Sequence, residues 1–131
     1  MGERTLFQRI LGISATGRAA EGSWTLNGKN LKIDTGKLPE LSSPGTGVRI
    51  EGKGLPERIL LIRGADGEFH AFRNRCTHGG RRLDPSGEGV QCCSVGKSFF
   101  DVNGSIMSGS AKKNLKKYKT TRENNYIIIE L

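Results

Sequence analysis

Apolar and polar positions alternate in short runs along this chain, with glycine-, proline- and asparagine-containing breaks between them. A period of two over four to eight residues is the mark of a strand with one face buried. Trp24–Ile33 reads as a hairpin, with alternating apolar residues on both sides of Asn27-Gly28, a pair that supplies positive φ cheaply in a tight turn. Leu38–Gly47 is a Pro/Gly/Ser-rich connection with turns at Pro39 and Pro44-Gly45. Val48–Glu51 alternates as a strand. Arg58–Arg63 is apolar at both parities, which predicts a strand with both faces covered. Glu68–Phe72 is the next strand, after a turn at Ala65-Asp66-Gly67.

Asp84–Gly89 reads as turn-rich and Val90–Cys92 as a short strand. Phe99–Val102 and Ser105–Met107 pair around Asn103-Gly104. A terminal hairpin of Tyr118–Thr121 and Tyr126–Glu130 turns at Glu123-Asn124-Asn125, with Ile127, Ile128 and Ile129 strongly strand-forming. The expected fold class is all-β, an antiparallel sandwich or barrel.

The first residues depart from this pattern. Leu6, Phe7, Ile10, Leu11 and Ile13 have helical spacing, but Gln8 and Arg9 interrupt any continuous apolar segment of an export signal. Residues 1–22 are therefore expected to be an arm or short helix, and residues 23–131 the domain. Leu6 stands where a myristoylation signal needs Ser or Thr. No run approaches the ~18 apolar residues of a membrane span. The expected compartment is the cytoplasm.

Composition agrees with a loop-rich β fold: 34% hydrophobic residues is low and 19 glycines is high for 131 residues. The net charge of +8 has two readings, a solvated basic surface or a docking face for an acidic partner. Lys112, Lys113, Lys116, Lys117 and Lys119 form the densest basic run. Only Tyr118 interleaves with it and no nucleic-acid motif surrounds it, so nucleic acid is not the expected partner. Three cysteines, two of them adjacent, make a poor disulfide framework and fit metal or redox chemistry in a reducing compartment.

That chemistry is concentrated between Arg73 and Asp101. All three cysteines (Cys76, Cys92, Cys93) lie there, with His78, one of two histidines. Cys76-Thr77-His78 sets a thiolate and an imidazole one residue apart, followed by Gly79-Gly80. A second glycine-containing loop with cysteines follows and closes on Phe99-Phe100-Asp101. Two such loops could clamp one compact inorganic centre.

The run G-E-F-H-A-F-R-N-R-C-T-H-G-G-R-R-L, then C-C-S-V-G-K-S-F-F-D-V-N-G-S-I-M-S-G, L-K-K-Y and Y-I-I-I-E-L resembles the Rieske-type [2Fe–2S] ferredoxin domain over roughly residues 37–131. The resemblance implies an antiparallel β-sandwich carrying a small two-loop cluster-binding subdomain. It also implies Cys-x-His in one loop and Cys-x-x-His in the other, two thiolates holding one iron and two imidazoles its neighbour. Cys76 and His78 match the first loop. Aligning Phe100-Asp101 with the family's Phe-Asp makes Cys93 the second cysteine and puts Gly96 where the second histidine belongs. The alternative register makes Cys92 the ligand and puts Val95 there. Either way the second histidine is missing, and His70, on the strand before the first loop, reads as structural.

Three outcomes follow. A cluster is held by Cys76, His78 and Cys93, with Cys92, Ser94 or Ser98 completing the set. Alternatively, the fold persists without metal as an accessory module, with Cys76 able to pair with Cys92 or Cys93. Thirdly, a single zinc uses Cys and His ligands, although the spacing is not that of a zinc finger. Under the first reading Gly79, Gly80 and Gly96 let backbone approach sulfide, Ser98 donates to sulfur, and Lys97 with Arg81 and Arg82 attracts an acidic redox partner. No general acid–base pair, nucleotide loop or nucleophile constellation points to a substrate, so the expectation is an electron carrier rather than a catalyst.

Overall fold

The local patterns assemble into two antiparallel sheets. The computed structural model describes residues 16–77, 80–86, 89–92, 98–109, 111 and 113–131. In chain order the strands are β1 (Trp24–Asn27), β2 (Asn30–Asp34), β3 (Thr46–Ile50), β4 (Ile59–Arg63), β5 (Phe69–Arg73), β6 (Leu83–Ser86), β7 (Gly89–Cys92), β8 (Phe99–Asp101), β9 (Ile106–Ser108), β10 (Lys117–Glu123) and β11 (Tyr126–Glu130). The larger sheet has the order β1-β2-β11-β10-β5-β4-β3, the smaller β6-β7-β8-β9.

β10 joins the two halves of the larger sheet. Lys117 and Tyr118 pair with β5, and Lys119–Glu123 pair with β11. Leu31, Ile33, Ile127 and Ile129 from one half share a buried cluster with Val48, Ile50, Ile59, Leu61, Phe69 and Ala71 from the other. On its other face the β4–β5 segment presents Leu60, Ile62 and Phe72, which pack with Leu83, Val90 and Phe100 of the smaller sheet. This explains the unbroken apolar run in β4. Consecutive side chains point to opposite faces, and each face carries a core.

The expected hairpins are present, with local differences. Asn27 pairs with Asn30, so the first turn is centred on Gly28-Lys29 rather than on Asn27-Gly28. Gly28 takes φ +63°, and only the first central position is left-handed, the pattern of a two-residue II′ turn. In the terminal hairpin Glu123 pairs with Tyr126, and Asn124 adopts φ +53°. The Leu38–Gly47 connection contains a 3-10 turn at Pro39–Ser42, and another precedes it at Thr35–Lys37.

Asp84–Ser86, read from sequence as turn, is part of strand β6. Pro85 pairs with Val90, and β6 forms one edge of its sheet, the place where a residue without an N–H is tolerated. Part of the expected arm is tied to the domain. Arg18 bridges Arg49 in parallel, and Thr16 donates from both its backbone N–H and its hydroxyl to Asp84 Oδ1. The helical spacing at Leu6–Ile13 lies outside the described residues.

Candidate metal centre

β5 delivers the chain to the first loop. Cys76 is buried; its N–H donates to Arg81 O at 2.7 Å, and its carbonyl accepts from Gly80 N at 2.8 Å. These two bonds tie Cys76 to Gly80 and Arg81 across the first loop. Gly80 sits at φ +71° with the Arg75 guanidinium 3.5 Å from where a Cβ would be, so its left-handed backbone is what admits the turn. Thr77 Oγ1 donates to Lys113 O at 2.6 Å, anchoring the loop to the segment before β10.

The second loop is closed by Cys92 N donating to Ser98 O at 2.7 Å. Ser98 is fully buried, and its Oγ accepts from Ala111 N at 2.9 Å. That bond occupies a lone pair and leaves the hydroxyl proton for a further acceptor. Cys92 pairs with Leu83 and shares the buried cluster of Leu83, Val90 and Phe100. Cys76 belongs to the same cluster, so the two loops arise from one buried wall.

Of the sequence-predicted site residues, Cys76, Cys92, Gly80 and Ser98 come together here. His78, Gly79, Cys93, Gly96 and Lys97 lie outside the described residues, as do Ser94 and Val95. Among the described residues no three His, Cys, Asp or Glu side chains gather as a metal would require. His70 is engaged elsewhere. Its Nε2 lies 3.1 Å from Asp66 Oδ2, and its Nδ1 lies 3.0 Å from Lys117 Nζ.

Sequence reasoning missed the scaffold of the loops. The backbone N–H of Leu83 donates to Asn74 Oδ1 at 2.6 Å, and Arg58 donates to the carbonyls of Asn74 and Gly80. Glu51, just past β3, accepts from Arg82 Nε at 2.7 Å and Nη2 at 3.0 Å, and from Arg49 Nη1 at 3.0 Å. Burial alone would raise its carboxyl pKa, but the hydrogen bond from Arg82 and the charges of Arg49 and Arg82 outweigh it and hold the group below 4.5. Arg58 is also pushed down, by burial first and then by the neighbouring charges of Arg82 and Arg75. Cations therefore crowd the base of the first loop. No local pattern in the sequence announces these ties, because all but the Arg49–Glu51 bond span 9 to 31 positions.

One thiol-bearing loop thus leads from β5 of the larger sheet to β6 of the smaller, and a second follows β7, both rising from the wall between the sheets. The Rieske [2Fe-2S] domain family matches residues 33–119, and the chain belongs to that family. It is 34% identical over 88 residues to the ferredoxin component of the naphthalene 1,2-dioxygenase system of Pseudomonas putida, covering 65% of this chain and 80% of that protein. Among solved structures, a chain of the complex of reduced oxygenase and oxidized ferredoxin in carbazole 1,9a-dioxygenase superposes with a TM-score of 0.64 at 20% identity. The match covers 79% of this chain and 94% of that one. The ferredoxin of carbazole 1,9a-dioxygenase from Nocardioides aromaticivorans gives 0.56 at 18% identity, over 67% and 86%. These structures speak for the fold, and no helix among the described residues is long and apolar enough to cross a membrane.

The family implies a [2Fe–2S] cluster, and the donors here suit one in kind. Thiol sulfur and imidazole are the ligand types such clusters take. In addition, the buried Asn74 Nδ2 at the foot of the first loop has no hydrogen-bond partner among the described residues, which leaves a donor free for an acceptor beyond them. The set differs from the family's two thiolates and two imidazoles in lacking the second histidine.

Proposed function

We propose that this chain is a small ferredoxin-type electron carrier that serves a redox enzyme, an oxygenase or a reductase, in the cytoplasm. The observation that carries the reading is that Cys76 and Cys92 share one buried wall, in a chain that spans most of a ferredoxin relative. Cys76, His78 and Cys93 are the proposed ligands, with Cys92, Ser94 or Ser98 completing the set. A [2Fe–2S] cluster, when bound, supplies a one-electron couple. The chain's own residues exclude water from the sulfur side through Leu83 and Phe100 and hold the first loop closed through Arg58. They also surround it with Arg75, Arg81 and Arg82. A set of three thiolates and one imidazole is more negative than two and two, so its potential should fall below that of a two-histidine centre.

The arginines at the base of the loop suit a partner with an acidic face. Residues 23–131 are the proposed carrier domain and residues 1–22 an arm or short helix, of which Arg18 bridges Arg49 of β3. A second reading is a cluster-free accessory module. It is favoured by Cys92, which packs as a small hydrophobe among Leu83 and Val90. Iron and acid-labile sulfide analysis of anaerobically purified protein, with EPR after reduction, separates the two. About two irons and two sulfides per chain with a reduced [2Fe–2S] signal is expected. No iron or sulfide after reconstitution would establish the accessory module instead.

A further inference from the structure

Arg58 and Asn74, neither of them a sulfur or imidazole donor, hold the feet of both loops. Arg58 stands just before β4. It donates from Nε and Nη2 to the carbonyl of Asn74 at 3.1 and 3.0 Å, and from Nη2 to the carbonyl of Gly80 at 2.9 Å. The N–H of Asn74 returns a bond to Arg58 O at 2.8 Å. The carbonyls of Asn74 and Gly80 bracket Cys76 and His78, so one planar guanidinium fixes the span of the first loop. A lysine ammonium lacks the fork geometry to do the same.

Asn74 extends this clamp to the second loop. Its side chain is fully buried, and its Oδ1 accepts from Leu83 N at 2.6 Å. A backbone N–H can only donate, so the atom it meets is the carboxamide oxygen and the orientation of the amide is fixed. Leu83 is the register partner of Cys92, the last residue of β7 before the second loop. One side chain therefore joins the foot of the first loop, through a strand residue, to the foot of the second.

The other end of the same amide is unaccounted for. Nδ2 is buried without a hydrogen-bond partner among the described residues. Buried amide donors are nearly always paired, so this one calls for an acceptor beyond the described residues. Sulfur carrying negative charge, as thiolate or sulfide, is the acceptor that two facing cysteine loops would bring there.

We propose that Asn74 is the positioning residue of the centre. Its carboxamide oxygen sets the separation of the two loops, and its Nδ2–H donates to a sulfur of the group held between them. This deepens the electron-carrier reading and rests on it. An N–H···S bond favours the reduced, more negative form and raises the midpoint potential.

The test compares wild type, Asn74→Asp and Asn74→Leu, each purified anaerobically with asparagine labelled by nitrogen-15 in the side-chain amide only. Iron and sulfide content, midpoint potential and the pulsed-EPR nitrogen coupling of the reduced protein are measured. Asp keeps an oxygen for Leu83 N–H and removes the donor; Leu removes both. The expected result is a labelled-amide coupling in wild type and near-wild-type iron in the Asp variant, with that coupling gone and the potential lowered. Most of the iron should be lost from the Leu variant. Because the added charge also lowers the potential, the coupling decides the donor role, whether or not the Leu variant folds. Iron-loaded wild type without the coupling, or a coupling that survives in Asn74→Asp, overturns it and leaves the carrier reading standing. Full iron in a folded Leu variant overturns the tie between the loops. Wild type without iron or sulfide overturns the electron-carrier reading, and this proposal with it.

Discussion

Cys92 shows how a residue's parity along a strand bears on its chemistry. Successive side chains on a strand point to opposite faces, so two adjacent cysteines cannot both turn inward while the strand persists. Cys92 still belongs to β7, pairs with Leu83 and faces the wall shared with Val90 and Phe100. Cys93 follows the last paired residue. Cys93→Ala should therefore abolish iron binding. Cys92→Ala should retain most of it and cost about 1 kcal/mol for the lost packing, measured by iron analysis and urea unfolding. Equal loss of iron in both variants would instead point to ligation by both thiols. The sequence shows that the two cysteines are adjacent and that one histidine is missing. It does not reveal the facing of Cys92, which depends on where the β6–β7 pairing stops.

At the scale of elements, the smaller sheet is the part least visible in the sequence and the one on which the site rests. β6 hides behind Asp84-Pro85-Ser86, residues that favour turns locally but pair here at a sheet edge. β7 and β8 approach closely at Gly89, where an added Cβ would collide with the carbonyl oxygen of Phe100 and lie 2.9 Å from Asp101 Cα. Both are backbone atoms and cannot swing aside. Gly89→Ala should destabilise the domain by about 1–3 kcal/mol and loosen the second loop. The check is a lower unfolding midpoint together with faster loss of iron to a chelator. The hairpins of the larger sheet were legible because alternation and Asn/Gly turns are local signals. β6 was not, because its strand character comes from β7.

Across the whole molecule, the two sheets meet at the apolar wall of Leu60, Ile62 and Phe72 and at the ion network of Glu51. Glu51 leaves the end of β3, whereas Arg82 precedes β6, so their bond ties the larger sheet to the base of the first loop. The folded state holds the Glu51 carboxyl below 4.5, so it gives up this proton more readily than the unfolded chain does. Its contribution is therefore fully present above the unfolded value and is lost as pH falls through the depressed folded one. Urea midpoints followed from about pH 6 down to about pH 3 should fall more steeply for wild type than for Glu51→Gln. Parallel curves would show that the network does not couple the sheets.

The sequence by itself determined the all-β class, most hairpins, the two loops and the family. Those depend on the period of two, on residues that accept positive φ and on short spacings around Cys76 and His78, all signals carried within a few positions. Only the tertiary structure decided which face Cys92 presents, that Asp84–Ser86 is a strand, and that Arg58, Asn74 and Glu51 brace the site. Each depends on a partner brought close by the packing of the two sheets, and such proximity leaves no trace in the spacing of residues along the chain.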